Sequence, residues 1–396
     1  MIWKKYALLA FLTFSLTHIG RSSGGVVTGS VANEENTTEV AIPLTDAELT
    51  VNSLLTRYFN HRHTAEKFNG VVLVAHNGRP IYEESFGYSD IAARKPLDPN
   101  TPFELASVSK TFTATAVLKL AEAGKLTLDD SISQYFPAFP YGITIRQLLD
   151  HRSGLPDYVY MDNRYITDRQ HYMSNLDVVD IFCQKKPRLL FKPDTRFEYS
   201  NSNYALLAAI VQQASGIKFQ KFVQDSIFAP LGMTHSYVFD FEDSTVQHDY
   251  ARTHDAYGRK LSDVCFDGAV GDKGIFSTVE DMLKWDNALR TGKVLSDETL
   301  AEAYKPRSFE RVSFPDCNAR NYGYGWRMAR QADGNNIIYH NGWWHGNNNV
   351  FARNLRDNTT IIILSNRLNQ ANYWTDPIWN MLKGVKEETI NEVAAQ

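Results

Sequence analysis

Apolar positions change period twice along this 396-residue chain. Val51, Leu54, Leu55 and Tyr58 recur at helical spacing behind Thr45 and Glu48, which stand at capping-box spacing. Gly70 to Ala75 is instead a β-branched apolar run. His76-Asn77-Gly78 reads as a turn, and Ile81 to Tyr88 returns, so a hairpin is predicted there. From about residue 100 to about 300 the helical period dominates. Thr111 to Ala123 is apolar along one face and stops at Gly124, a residue suited to ending a helix. Thr144 with Gln147, and Ser277 with Glu280, mark two further helix starts, and Tyr204 to Ala214 keeps the same period. The last hundred residues revert to strands at Asn336 to His340, Asn348 to Leu355 and Thr359 to Ser365. A closing amphipathic helix follows Asp376, and the Asn347 to Asn349 run reads as a turn. Strands at both ends with helices between them predict an α+β fold (an α/β sandwich). One antiparallel sheet is built from the two chain ends and flanked by helices, with a helical lobe inserted.

This pattern assigns residues 44–388 to one domain, with 389–396 as a tail. Residues 25–43 lack large apolar groups and read as a flexible leader. Residues 1–24 read as an export signal: Lys4 and Lys5 precede an apolar run from Tyr6 to Leu16, then Ser22-Ser23-Gly24. The run falls short of the about 20 residues that span a bilayer, so no stable membrane span is expected after signal removal. An uncleaved anchor stays open, because no clean small-x-small cleavage site follows. Composition is ordinary for a globular protein, at 43% hydrophobic and 22% charged. A net charge of −4 without a basic face argues against nucleic acid. Cys183, Cys265 and Cys317 are odd in number and widely spaced, which fits neither a zinc pattern nor a disulfide framework. Free thiols with at most one bridge are expected. No metal-ligand spacing and no phosphate-binding glycine loop appears, so neither metal nor other cofactor is expected. Oligomeric state is left open.

Candidate chemistry begins with Ser107-Val108-Ser109-Lys110. A serine hydroxyl is a poor nucleophile without an adjacent base. Three residues along a helix place Lys110 on the same face as Ser107. A helix start also offers backbone N–H groups to a developing oxyanion. The pattern alone is weak, since about one or two copies arise by chance in such a chain. A second copy, Ser215-Gly216-Ile217-Lys218, indeed lies at a helix end marked by glycine.

What lifts Ser107 above its twin is order. Tyr199-Ser200-Asn201 and then His340-Asn341-Gly342 follow it. Look-alikes of the later motifs at Tyr58-Phe59-Asn60, Tyr339-His340-Asn341, His76-Asn77-Gly78 and His18-Ile19-Gly20 stand out of sequence. Ser-x-x-Lys, Tyr-x-Asn and His-x-Gly in that order resemble the serine β-lactamase and penicillin-binding-protein superfamily. The chain most resembles its class C-like branch of β-lactamases, D-alanyl-D-alanine peptidases and esterases. Leu148 to Pro156, Gly70 to Ala75 with Phe86-Gly87-Tyr88, Gly271 to Trp285 and Tyr322 to Trp326 extend the resemblance over about 45–385.

The resemblance implies a β-lactamase/transpeptidase-like fold and an exported, periplasmic or secreted bacterial enzyme. Ser107 would be acylated, with Lys110 and Tyr199 handling its proton. Asn201, His340, Asn341, Gly342, Trp343 and Trp344 would bind substrate, and the backbone N–H groups of Ser107 and Trp343 would form the oxyanion hole. Two of these assignments compete with plainer ones. His340 serves equally as a satisfied strand histidine, and Trp344 either walls an acyl pocket or packs on the helical lobe. Histidine titrates near neutrality, so His340 is not the permanent cation that many relatives carry there. The partner expected is a small-molecule or peptide substrate, cleaved at an ester or amide. Esterase or D-amino-acid peptidase fits better than efficient β-lactamase; a non-catalytic wall-peptide-binding protein is the alternative.

Overall fold

One sheet draws its strands from early and late parts of the described chain. The computed structural model describes residues 43–66, 68–243, 249–309, 320–330, 336–371 and 374–383. The expected export signal, all but the last residue of the leader, and the 389–396 tail lie outside the described residues. Helix α1 (Asp46–Glu66) opens the fold with its expected box: Thr45 N–H donates to Glu48 Oε2 at 2.8 Å, and Glu48 N–H to Thr45 Oγ1 at 3.3 Å. Strands β1 (Gly70–His76) and β2 (Arg79–Phe86) then form a hairpin. Its Asn77 and Gly78 take φ of 51° and 76°, the pair of positive angles that a tight right-twisted hairpin needs. The remaining strands of this sheet are β3 (Ser308–Phe309), β4 (Arg320–Tyr322), β5 (Arg327–Arg330), β6 (Asn336–Trp344), β7 (Asn347–Asn354) and β8 (Thr359–Ser365). All pair antiparallel in the order β2-β1-β8-β7-β6-β5-β4-β3. Gly70 of β1 lies opposite Ser365 of β8, so the first and last strands of the sheet are neighbours.

Both faces of that sheet are covered, which is why its central strands read as unbroken apolar runs. Val71, Leu73, Ile362 and Leu364 enter a core shared with the helical lobe, while Val72, Val74, Ile361 and Ile363 enter a second core. The second is capped by Leu55 and Phe59 of α1 and by Ile378 and Trp379 of α5 (Thr375–Lys383). Within the lobe, α2 (Ser109–Glu122) and α3 (Asn201–Ser215) are buried almost all round. A helix enclosed on every side is a fixed post for side chains at its N-terminus.

Two local expectations are corrected. Asn347 to Asn349 are strand residues, and the turn before them is His345-Gly346. Buried asparagines persist there because each amide nitrogen has an acceptor. Asn347 Nδ2 donates to Glu104 Oε2 (3.3 Å), Asn348 Nδ2 to Gly346 O (3.2 Å) and Asn349 Nδ2 to Glu104 O (2.8 Å). The N-cap of α4 (Val279–Arg290) is Thr278, whose hydroxyl accepts from Asp281 N–H. Ser277 instead ends a short strand, Ile275–Ser277, paired with Phe103–Glu104. Cys183 and Cys265 are buried free thiols, and Cys317 lies outside the described residues. No helix among those residues is long and apolar enough to cross a membrane.

Candidate active site

Leu105 N–H bonds Ile275 O at 2.8 Å, and the chain then turns sharply through Ala106–Val108 into α2. Ala106 sits at φ 52°, a left-handed conformation that costs a non-glycine residue free energy and sets the direction in which Ser107 emerges. One turn on, fully buried Lys110 holds three groups at once. Its Nζ donates to Ser107 Oγ (3.0 Å), Asn201 Oδ1 (2.8 Å) and the Asp272 main-chain oxygen (2.8 Å). The last two can only accept. The serine hydroxyl can also donate, so the bond to Ser107 is the one of the three whose direction can reverse.

Asn201 is itself held. Its backbone N–H and Nδ2 both donate to Asp157 Oδ2, at 3.0 and 2.9 Å, which leaves Oδ1 facing Lys110. Burial pushes the Asp157 carboxyl upward, while N–H bonds from Asn201 and Val159 pull it back. Tyr199 lies flat beside the pair, with Lys110 Nζ 4.9 Å from its ring centroid and the Arg327 guanidinium 5.0 Å from it. Its hydroxyl is buried and has no hydrogen-bond partner among the described residues. Under the ring, at 4.4 Å, is His151 from the Leu148 to Pro156 stretch. His151 Nδ1 accepts from Ser200 N–H (3.3 Å) and Asn203 Nδ2 (2.9 Å), and Ser153 Oγ donates to Asn203 Oδ1 (2.6 Å). That stretch is therefore the floor that fixes the Tyr-x-Asn turn.

Strand β6 runs along the other side. Strand β5 covers only Asn336 to Tyr339, so Asn341 and Trp343 line the cavity. Gly342 meets the nucleophile turn directly: a Cβ there would lie 2.2 Å from Leu105 O. His340, expected on the substrate side, is fully buried. Its Nδ1 lies 2.8 Å from Asn341 O, which can only accept, so Nε2 accepts from Tyr322 OH at 3.0 Å. Burial, then Arg327 and Lys110, holds it well below the ordinary histidine range. It braces the strand as a neutral ring. Trp343 is 58% exposed at the mouth, while Trp344 turns inward, its Nε1–H on Asp267 Oδ1 at 2.6 Å.

Ser107, Tyr199, Asn201, Asn341, Trp343 and Trp344 thus line one cavity of about 940 Å³, with Lys110 buried beneath it. Sequence reasoning missed Asp157, Asp272 and Arg327, which line it too. Each sits within or next to a stretch that carried the family resemblance, but only the topology brings them together. The Ser215–Lys218 twin stays apart: Gly216 caps α3 at φ 76°, and Lys218 pairs with Asp240 and Glu242.

The family profile described as Beta-lactamase matches residues 55–385. The chain is 34% identical to a penicillin-binding protein of Bacillus subtilis (strain 168) over 323 residues, 78% of this chain and 70% of that protein. Two solved structures share its fold. The D-amino acid amidase of Ochrobactrum anthropi SV3 is 24% identical with a TM-score of 0.68, covering 86% of this chain and 99% of that one. EstCE1, a hydrolase with promiscuous acyltransferase activity, is 21% identical with a TM-score of 0.71, covering 86% and 100%.

Proposed function

The chain belongs to the Beta-lactamase family of serine hydrolases, and on that premise we propose that it cleaves an amide with a neighbouring carboxylate, through an acyl-enzyme on Ser107. One observation carries the chemistry. Lys110 Nζ touches Ser107 Oγ and Asn201 Oδ1 together, so the first two motifs converge on a single nitrogen. Ser107 Oγ attacks the carbonyl carbon and gives its proton to Lys110, with Tyr199 across the gap as relay. The carbon–nitrogen bond breaks as the proton moves on to the departing nitrogen. Water then repeats the sequence on the ester and frees Ser107. The backbone N–H groups of Ser107 and Trp343 receive the oxyanion between the nucleophile turn and the β6 edge.

Arg327 supports an amide with a carboxylate over a simple ester. It is the cation beside Tyr199, on the side where the leaving group is protonated, and His340 is held neutral behind it. A C-terminal residue and a penicillin both present a carboxylate near the reacting amide, and the Bacillus subtilis relative is named for binding penicillin. Export through residues 1–24 belongs to the same proposal.

Treating the protein with a fluorophosphonate or labelled penicillin is expected to put one adduct on Ser107, located by mass spectrometry. No adduct there on a folded protein overturns the proposal. Lys110→Ala is expected to slow that acylation by about 10²–10⁴. Among D-Ala-D-Ala peptides, p-nitrophenyl esters and nitrocefin, Arg327→Ala is expected to penalise the peptides and nitrocefin, which carry the carboxylate, more than the esters.

A further inference from the structure

Strand β6 gives the cavity an order from end to end. Tyr339, opposite Arg327, lies at one end, Gly342 touches the nucleophile turn in the middle, and Trp344 reaches Lys273 and Asp267 at the other. The Arg327 end is the leaving-group side. Resting on the amide-hydrolase reading above, we infer that the opposite, acyl half of the substrate carries a free protonated amine received by Asp272 Oδ1.

Asp272 belongs to the turn Gly271–Gly274, and its main-chain oxygen already accepts from Lys110, so it stands two hydrogen bonds from Ser107 Oγ. Its side chain is 1% exposed and lines the same cavity as Ser107. Oδ2 accepts from Tyr158 OH at 3.2 Å and lies 3.4 Å from Lys273 Nζ. Oδ1 has no hydrogen-bond partner among the described residues. A buried carboxylate oxygen left so is costly unless a donor reaches it.

The local charges say which donor. Asp157, Asp263 and Asp272 line this part of the cavity, against Arg169 and Lys273. Both cations are engaged. Lys273 Nζ spends its shorter bonds on Tyr158 OH (2.7 Å) and Ala269 O (3.0 Å), and Arg169 donates to Asn163 Oδ1 (3.1 Å) and Met161 O (2.8 Å). Asp157 has three N–H donors and is likewise satisfied. An excess of acid with one unmet carboxylate oxygen fits an ammonium group, which adds a positive charge and three N–H donors. The cavity is then polarised, acid on the acyl side and Arg327 on the other. That is the charge pattern of a short peptide with both termini free.

The test compares D-alanyl-D-alanine with its N-acetyl derivative on the full chain. The free-amine peptide is expected to show the higher kcat/KM by about 10- to 100-fold, the range of a hydrogen bond to a charged group. Asp272→Asn is expected to bring that ratio close to one, whatever happens to the absolute rates. The wild-type preference should also fade as pH rises through about 8, where an α-amine loses its proton, and this arm decides even if Asp272→Asn does not fold. Equal or better cleavage of the acetylated peptide overturns the inference, and so does a ratio that Asp272→Asn leaves unchanged. Fluorophosphonate labelling of Ser107, which needs neither amine nor carboxylate, separates the two levels. Labelling without amine preference defeats this inference alone, whereas no labelling defeats the hydrolase reading beneath it.

Discussion

Glu104 stands three residues ahead of Ser107, buried, and accepts from Gly274 N–H (2.8 Å) and Asn347 Nδ2 (3.3 Å). Burial outweighs those bonds and pushes its carboxyl from 4.5 up to about 7. The unfolded chain therefore ionises this group more easily than the folded one. Its stabilising effect is complete below pH 4.5 and is lost as pH rises to 7, a loss of about 3 kcal/mol. Glu104→Gln keeps an acceptor for Gly274, and Asn347 can turn its unpartnered Oδ1 toward the new amide. Urea unfolding of this variant is expected to lose less stability than wild type between pH 5 and 8. Asp150, also buried and pushed up to about 7, adds a slope of the same sign. The difference between the two proteins is thus the quantity to read, and parallel pH curves would refute the assignment.

At the scale of elements, the site is a contact between the β6 edge and the start of α2, and Gly342 sets their separation. In Gly342→Ala the new Cβ would lie 2.2 Å from Leu105 O and 3.1 Å from Ala106 Cβ, so turn and strand must part. Acylation of Ser107 is expected to fall by about 10², the cost of a displacement near 1 Å in a reacting geometry. Stability should drop by only about 1–3 kcal/mol. Unchanged labelling kinetics would show that the contact does not position Ser107. This element-level view also marks what could be read from the chain. The start of α2, the hairpin at Asn77-Gly78 and the ordered motifs were legible because each is a local pattern with its own spacing. Asp157, Asp272 and Arg327 were not, since each reaches the cavity from a different element and no spacing links them. The Asn347 to Asn349 run misled for the same reason. Its residues look like turn formers until the buried partners Glu104 and Ser365 are supplied from elsewhere.

For the whole molecule, the lobe must stay seated on the sheet, and a buried ionic network does part of that. Asp286 of α4 accepts from Arg353 of β7 (2.5 Å) and Thr360 of β8 (2.8 Å) and also pairs with Arg290. Arg353 in turn donates to Tyr304 OH at 2.7 Å. Asp286 and Arg353 are 0% and 2% exposed at their side chains, so neither can turn to water if its partner is lost. Asp286→Ala is expected to destabilise the protein by about 3–5 kcal/mol, chiefly because Arg353 is left buried and unpaired. Replacing both partners with apolar residues, Asp286→Leu with Arg353→Met, should recover most of that loss. Neither residue lines the cavity, so Ser107 acylation per folded molecule should hold while the urea midpoint moves at constant m. A double variant as unstable as Asp286→Ala would show that the network's worth lies in the pair itself. Recovery would show that the fold tolerates apolar packing there, and that only a half-broken pair is ruinous.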